Sequence, residues 1–362
     1  MHVARRRSGP ADQLGKAGSR LFARLVTIAA ASAIAFALRP VTLSAQPEPL
    51  YEVSATKYLL GTKIDFLGTH PSITGCKQAF TKAYQEIERI ERLLSSHKPE
   101  SEITRINQHA GAKHVRVSYE TFAIVTRAVA YSRKFAGDFD ITIGPVTELW
   151  GFNGDREVTV PEPRLLKNLL NLVNFHNIVL SRQDTTVFLK KTGMKLDLGG
   201  IAKGYAIDRA AFVLNQNGIQ NFLINAGGDI YACGTKYGHQ KWTVGLQHPR
   251  KQAELLATFE AQDVAVATSG DYERYKLING KRYHHLIDPH TGFPADQNQS
   301  VTVFAPSAEQ ADVWATYLFI AGAKHDLKAM QRHPVRAIFV RAAGDIVCDE
   351  ALRKEFGVVF LN

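Results

Sequence analysis

The sequence predicts an α+β domain of mixed or antiparallel sheets packed by helices, and three observations carry that expectation. Several segments repeat apolar residues at three- and four-residue spacing, the period of a helix with one buried face. Between them lie short runs rich in Val, Ile, Tyr and Phe, each cut by Gly, Asn or Asp, which read as strands joined by tight turns. No repeat, long linker or low-complexity tract divides residues 46–362, so one composite domain is expected, with room for two tightly joined lobes. The 362 residues are 45% hydrophobic and 22% charged, which suits a sizeable core and excludes a disordered, collagen-like or coiled-coil chain.

The first 45 residues differ from the rest. Arg5, Arg6, Arg7, Lys16, Arg20 and Arg24 precede an apolar run from Leu25 to Leu38, and Leu43, Ser44 and Ala45 offer a small-residue site before Gln46. That is the order of a signal peptide, 1–45. The apolar run is shorter than the roughly 20 residues that cross a bilayer, so cleavage near Ala45 is expected, with retention as an N-terminal anchor as the alternative. The whole chain has 44 Lys and Arg against 34 Asp and Glu, a net charge of +10; without the leader 37 face 33, a net +4. Most of the basicity therefore belongs to the leader. The remaining cations are scattered, with no basic helix or finger spacing, so nucleic-acid binding is not expected. Cys76, Cys233 and Cys348 allow at most one intrachain disulfide and contain no close pair of the zinc or redox kind.

In order along the chain, residues 50–66 read as two strands, or one bulged strand, broken at Gly61. Phe80, Tyr84, Ile87, Ile90 and Leu94 predict a helix over 78–94, followed by a polar loop around Pro99 and a short helix at 102–107. Residues 118–134 repeat the helical spacing, 137–155 read as a loop with brief ordered pieces, and 161–174 as a helix opened by prolines. Strands follow at 173–181 and 186–190. The stretch from Met194 to Gly234 reads as strand, glycine loop, helix, strand, glycine turn, strand. Further strands are expected at 242–247, 255–261, 263–269, 275–280 and 300–305, then a helix at 308–322 and a final strand from Arg336.

The segment from Asp197 to Tyr205 carries the most chemistry. A strand-like run feeds Gly199 and Gly200, and Lys203 and Gly204 open a helix, so free N–H groups and a lysine could receive phosphate oxygens. A tight strand-to-helix turn with a surface lysine is the plain alternative, and neither the dinucleotide fingerprint nor the P-loop spacing is present. Gly227 and Gly228, before Asp229, read first as a hairpin turn capped by Asp229, and otherwise as a turn closing against a ligand. His284 and His285 are adjacent, so on a strand they face opposite sides; one metal cannot take both, but one could reach a cleft as a base. Asp312 and Thr316, four apart on a predicted helix, share a face and could offer oxygens to Mg²⁺ beside phosphate, or simply form a local polar pair.

Together LLGTKID, SEITRIN, GDFDITIGPVTELWGF, LDLGGIAKGYAIDRA, NFLINAGGDIYACG, TSGDYER, YHHLIDPHTG and ADVWATYLF resemble, in content and order, the bacterial FAD:protein FMN transferases. The resemblance spans nearly all of residues 50–342. It implies the composite flavin-transferase fold and an exported, Mg²⁺-using enzyme. Such an enzyme moves the FMN part of its substrate FAD to a threonine hydroxyl of an acceptor protein and releases AMP. The acceptor class it implies is respiratory or electron-transfer proteins, with the enzyme in the periplasm and associated with the inner membrane. Carried onto this chain, it assigns the metal to the Gly200 carbonyl, Asp312 and Thr316. Asp197 and Lys203 fall at flavin-nucleotide contacts, Asp138, Phe139 and Asp140 along the adenine or ribose side, Gly227, Gly228 and Asp229 at the ligand turn, and His285 beside the reacting phosphate. Leu60 stands where the family often has methionine, which keeps an apolar contact with flavin. His97 stands where many members have tyrosine, a smaller and partly chargeable ring at that edge of FAD. No lipobox cysteine lies near the expected cleavage site.

Overall fold

The computed structural model describes residues 49–152, 159–322, 330 and 332–361. The signal peptide expected at 1–45 lies outside them. Strands β1 (Tyr51–Leu59) and β2 (Thr62–His70) pair antiparallel down to Leu59 opposite Thr62. The two turn residues, Leu60 at φ 54° and Gly61 at φ 70°, are both left-handed, the geometry that matches the twist of the flanking strands. Gly61 is thus a turn, which decides for two strands over one bulged strand. Leu60 is strained there by about 1–2 kcal/mol, offset by packing of its side chain against the core.

Helix α1 (Ile73–Leu94) begins five residues before the expected 78, because Ser72 caps it by accepting from the Gly75 N–H at 3.0 Å. Ser101 and Ser118 cap α2 (Glu102–Gln108) and α3 (Tyr119–Lys134) in the same way. The supposed loop at 137–155 contains helix α4 (Gly144–Trp150), which Pro145 opens and Gly151 at φ 70° ends; its glycine and proline content hid it. Helix α5 (Pro163–Leu170) follows, then a small sheet in the order β3 (Val115–Arg116), β5 (Thr186–Leu189), β4 (Ile178–Ser181).

The expected strand over MKLDL is not a strand. It runs extended with one bridge, Lys195 to Ile143, and at Leu196 a side chain stands in for a neighbouring strand. The Asn107 amide accepts from the Leu196 N–H at 2.7 Å and donates to its carbonyl at 3.0 Å. Its polar backbone groups are satisfied without a ladder.

Helix α6 (Ala202–Gln216) leads into β6 (Phe222–Ala226) and β7 (Asp229–Cys233). After these come β8 (Trp242–Gln247), β9 (Leu255–Ala261), β10 (Val264–Gly270), β11 (Tyr275–Ile278) and β12 (Lys281–His284). The chain continues through β13 (Asn298–Ala305), α7 (Ala308–Ala321) and β14 (Arg336–Arg341). Beyond the last strand expected from sequence lie β15 (Ile346–Cys348), a short helix Glu350–Glu355 and β16 (Val359–Phe360), all too brief to show a period.

The main sheet has the order β1-β2-β6-β7-β10-β13-β14-β15, every neighbouring pair antiparallel. One face packs on α1, α3, α6 and α7; the other packs on the three-stranded sheet β16-β9-β8. Strand alternation feeds both cores: in β10, Ala265 and Ala267 face the helices while Val264 and Val266 face β8 and β9, and in β14 Ala337 and Phe339 alternate with Ile338 and Val340. A sheet covered on both faces reads as a continuous apolar run, as all eight residues of β13 are buried. A satellite core of Val146, Trp150, Leu166 and Ile287 joins α4 and α5 to Ile278 and Tyr283 of the isolated hairpin β11–β12.

Candidate active site

Several elements meet at the start of α6. Its N-cap residue, Ile201, has no side-chain acceptor, so the first-turn N–H groups look elsewhere for partners. One finds α7: the Gly204 N–H donates to Asp312 Oδ2 at 3.0 Å. The approach needs glycine, since a Cβ on Gly204 would sit 2.2 Å from the Ala308 carbonyl oxygen. One turn further along α6, Asp208 accepts from the Ala308 and Glu309 N–H groups at 2.7 and 2.9 Å, capping α7 from outside. Arg127 grips Glu309 with contacts of 2.7 to 3.1 Å. Two adjacent turns of α6 thus fix the register of α7, and with it Asp312 and Thr316. Asp208→Ala is expected to cost about 1–2 kcal/mol and to raise the Mn²⁺ concentration that half-saturates the protein in electron paramagnetic resonance. Unchanged Mn²⁺ binding would show that the cap serves stability alone.

At the same helix start, Lys203 Nζ lies 3.0 Å from Asp229 Oδ2, off the line of a directed hydrogen bond, so Oδ2 is buried without one. Burial works against the Lys203 charge, but Asp229, Glu273 and Asp312 outweigh it and hold the ammonium above its usual range. Burial pushes Asp229 up, and Lys203 opposes that push. Asp312, only 6% exposed, is pushed up to about 7 by burial and by Asp229, against Lys203 and the Gly204 N–H. Burial pushes the Glu273 carboxyl up and Asp229 adds to that, while Lys203 and Arg274 oppose it. Glu273 and Arg274 lie within the TSGDYER segment, and only the fold brings Glu273 to Lys203 and Arg274 to His285.

The two histidines separate as alternation predicts. His284 Nε2 meets the Ala295 carbonyl at 2.8 Å and its ring sits edge-on to Phe319, a structural placement. His285 points the other way, with a buried Nδ1 that has no hydrogen-bond partner. Burial, then Arg274, His284 and Lys203, lower its pKa to about 3. The ring is held neutral at neutral pH and resists taking a proton; of its two nitrogens one carries the N–H and the other is an acceptor.

Around this centre the other expected residues fall at different distances. Gly200 is wedged between Phe139 and α7: a Cβ there would lie 3.0 Å from Phe139 Cε2 and 3.1 Å from Thr316 Oγ1. Asp138 Oδ1 meets His290 Nε2 at 2.9 Å and acts electrostatically on Tyr317 of α7. Asp140 turns inward; its two oxygens take the Thr142 N–H and hydroxyl at 2.8 and 2.6 Å and the Phe175 N–H at 2.9 Å, which makes it a buried tie of the loop. Asp197 is held by the Thr147 hydroxyl at 3.0 Å and the Gly199 N–H at 2.8 Å. Gly227 and Gly228, at φ 62° and 101°, form the two-residue hairpin turn between β6 and β7. A Cβ at Gly227 would lie 2.2 Å from Thr62 Oγ1, so this turn and the β1–β2 turn touch, with the Leu60–Gly61 tip near the Arg274 guanidinium. His97 is exposed on the turn after α1, its N–H on Ser95 Oγ, and none of its contacts joins it to Lys203.

The donor chemistry fits a hard cation. Asp312, Thr316 and the Gly200 carbonyl are all oxygens, and Gly200 and Thr316 are in contact. Among the described residues no group of three or more His, Cys, Asp or Glu could hold a metal, so a single carboxylate would need phosphate and water oxygens to complete a shell.

Comparison with known proteins identifies the family. The model of the ApbE family matches residues 61–339. The FAD:protein FMN transferase of Klebsiella pneumoniae is 37% identical over 281 residues, covering 76% of this chain and 86% of its own, and that of Treponema pallidum is 33% identical over 297 residues, covering 78% and 80%. The crystal structure of the ApbE protein of Thermotoga maritima superposes with a TM-score of 0.79 at 32% identity, over 84% of this chain and 99% of that one. The flavin transferase ApbE from Vibrio cholerae gives 0.76 at 27%, over 86% and 100%. With the model spanning most of the described chain, this protein belongs to the ApbE family, that of the FAD:protein FMN transferases.

Proposed function

We propose that this chain is an exported, Mg²⁺-dependent FAD:protein FMN transferase that modifies a threonine of a respiratory or electron-transfer protein and releases AMP. The observation that carries the reading is the convergence of Lys203, Asp229, Asp312 and the neutral His285 at the start of α6. Lys203 would receive pyrophosphate oxygens at the start of α6. Mg²⁺, held by the Gly200 carbonyl, Asp312 and Thr316, would add positive charge against the phosphate oxygens. His285 takes the proton as the threonine oxygen bonds to the FMN phosphorus; the phosphoanhydride P–O bond breaks and its electron pair leaves with AMP. Bound anionic pyrophosphate would offset Arg274 and Lys203 and so raise the basicity of His285, against the burial that lowers it most. Phe139, beside Gly200, and Asp138 before it would contact the nucleotide side, and Leu60 in the β1–β2 turn the flavin side. No helix among the described residues is long and apolar enough to cross a membrane, so inner-membrane association would rest on residues outside them or on the acceptor.

The test combines the chain, FAD, Mg²⁺ and an acceptor domain, and follows covalent FMN by mass and AMP by chromatography. Covalent FMN with equimolar AMP is expected; free FMN that saturating acceptor does not diminish would mean hydrolysis, and intact FAD a carrier. His285→Ala is expected to slow transfer about 10²–10⁴-fold with FAD binding kept. Because the folded ring resists protonation, His285 costs stability progressively as pH falls from 6.5 towards about 3. His285→Gln should therefore be the more acid-resistant chain in that window. A ring that titrates between pH 5 and 8 by NMR in the ligand-free protein would contradict this account.

A further inference from the structure

We propose that the hairpin β11–β12 is where the acceptor protein docks, its outer strand β11 pairing with an extended acidic segment beside the acceptor threonine. The inference rests on the transfer reading above and names the partner surface of that site. Both ends of the hairpin enter the reaction centre. Glu273 and Arg274 precede β11, His284 and His285 close β12, and the His285 N–H donates to the Arg274 carbonyl at 3.1 Å.

The two strands differ in exposure. On β12, His284 is buried and Tyr283 stacks on Trp150 at 5.4 Å. On β11, Lys276 and Leu277 are exposed on opposite faces, Leu277 at 64%. Among the described residues β11 pairs only with β12, which leaves its outer backbone edge open. An open edge beside an exposed apolar side chain is a template for strand addition, in which main-chain hydrogen bonds give affinity and alternate side chains give specificity.

Charge selects the occupant. Residues 274–285 contain Arg274, Lys276, Lys281 and Arg282 and no Asp or Glu. Arg282 is engaged by Asp271 at 3.5 Å and by the Tyr275 ring at 4.1 Å. Lys276, opposite Tyr283, and Lys281, opposite Ile278, lie on one face and are both exposed, Lys281 with its ammonium 5.3 Å over the Tyr283 ring. A basic edge of this kind favours an acidic strand. At about 3.4 Å per residue, a segment paired opposite Lys276 reaches the level of Arg274 and His285 two residues further on.

The test uses an acceptor domain that the Klebsiella transferase modifies, in its native form and with the acids flanking its threonine changed to amides. K276E/K281E is expected to raise the acceptor KM at least about tenfold and to lose the wild-type salt dependence, with FAD affinity unchanged. The amide acceptor should show a similar rise with the unaltered chain. An unchanged acceptor KM in the charge-reversed chain overturns the docking surface. So does a parallel loss of FAD affinity, because the hairpin would then shape the nucleotide site. If the unaltered chain transfers no FMN, the transfer reading itself falls.

Discussion

Asp312→Ala is expected to cut FMN transfer at least about a hundredfold at saturating FAD, on the scale of losing one preorganised charge contact to a reacting phosphate. Thr316→Ala removes a neutral oxygen and should cost less. The measurement is AMP release against Mg²⁺ concentration, alongside circular dichroism and FAD binding; near-native turnover with unchanged Mg²⁺ dependence in Asp312→Ala would remove Asp312 from the metal site. The same residue makes a stability prediction of opposite sign. Its carboxyl is pushed from 3.8 in the unfolded chain to about 7 when folded, so the folded state holds its proton more tightly. Stability from this group is therefore present below pH 4 and is lost between there and pH 7. In the absence of metal, Asp312→Asn should melt above the unaltered chain at pH 8, with the gap closing as the pH falls towards 4.

Gly204→Ala is expected to be the most disruptive single methyl in the site. In an ordinary helix the change would gain about 1 kcal/mol. Here the new Cβ would meet the Ala308 carbonyl oxygen and carbon at 2.2 and 2.6 Å and the Glu309 Cα at 2.8 Å, all backbone atoms that cannot swing aside. Overpacking of that kind costs about 1–3 kcal/mol or more, and parting α6 from α7 also breaks the Gly204 bond to Asp312. A net loss of about 2 kcal/mol corresponds to a fall in Tm of about 3 °C in a domain of this size, with transfer lost even where the chain is folded. A variant with native Tm and native Mg²⁺ response would show that the two helices are not locked here.

Much of this was legible because the relevant signals are local. The α1, α3 and α7 periods, the Gly61 and Gly227–Gly228 turns and the opposed histidines can all be read within a few residues. What could not be read depends on contacts far along the chain. Asp208 looks like an ordinary polar residue of α6 until it caps a helix that starts 100 residues later. Asn107 looks like the end of a short helix and in fact stands in for a strand beside Leu196. Asp140 shares a motif with Asp138, yet its oxygens are consumed by Thr142 and Phe175. Glu273 and Arg274 gain meaning only when the fold brings them to Lys203 and His285.

The alternation of the main sheet between two cores has a consequence for how the chain can change over time. The helices that carry Lys203, Asp312 and Thr316 lie on one side of β10, β13 and β14, and the β8–β9 layer lies on the other. Neighbouring residues of one strand, Phe339 and Val340 for instance, therefore answer to separate selective demands. Substitutions at Val266, Ile338 or Val340 tune how firmly the layers adhere, while those at Ala267, Ala337 or Phe339 press on the helices that hold the chemistry. Thermal robustness can drift through the outer set in lineages that keep the same reaction.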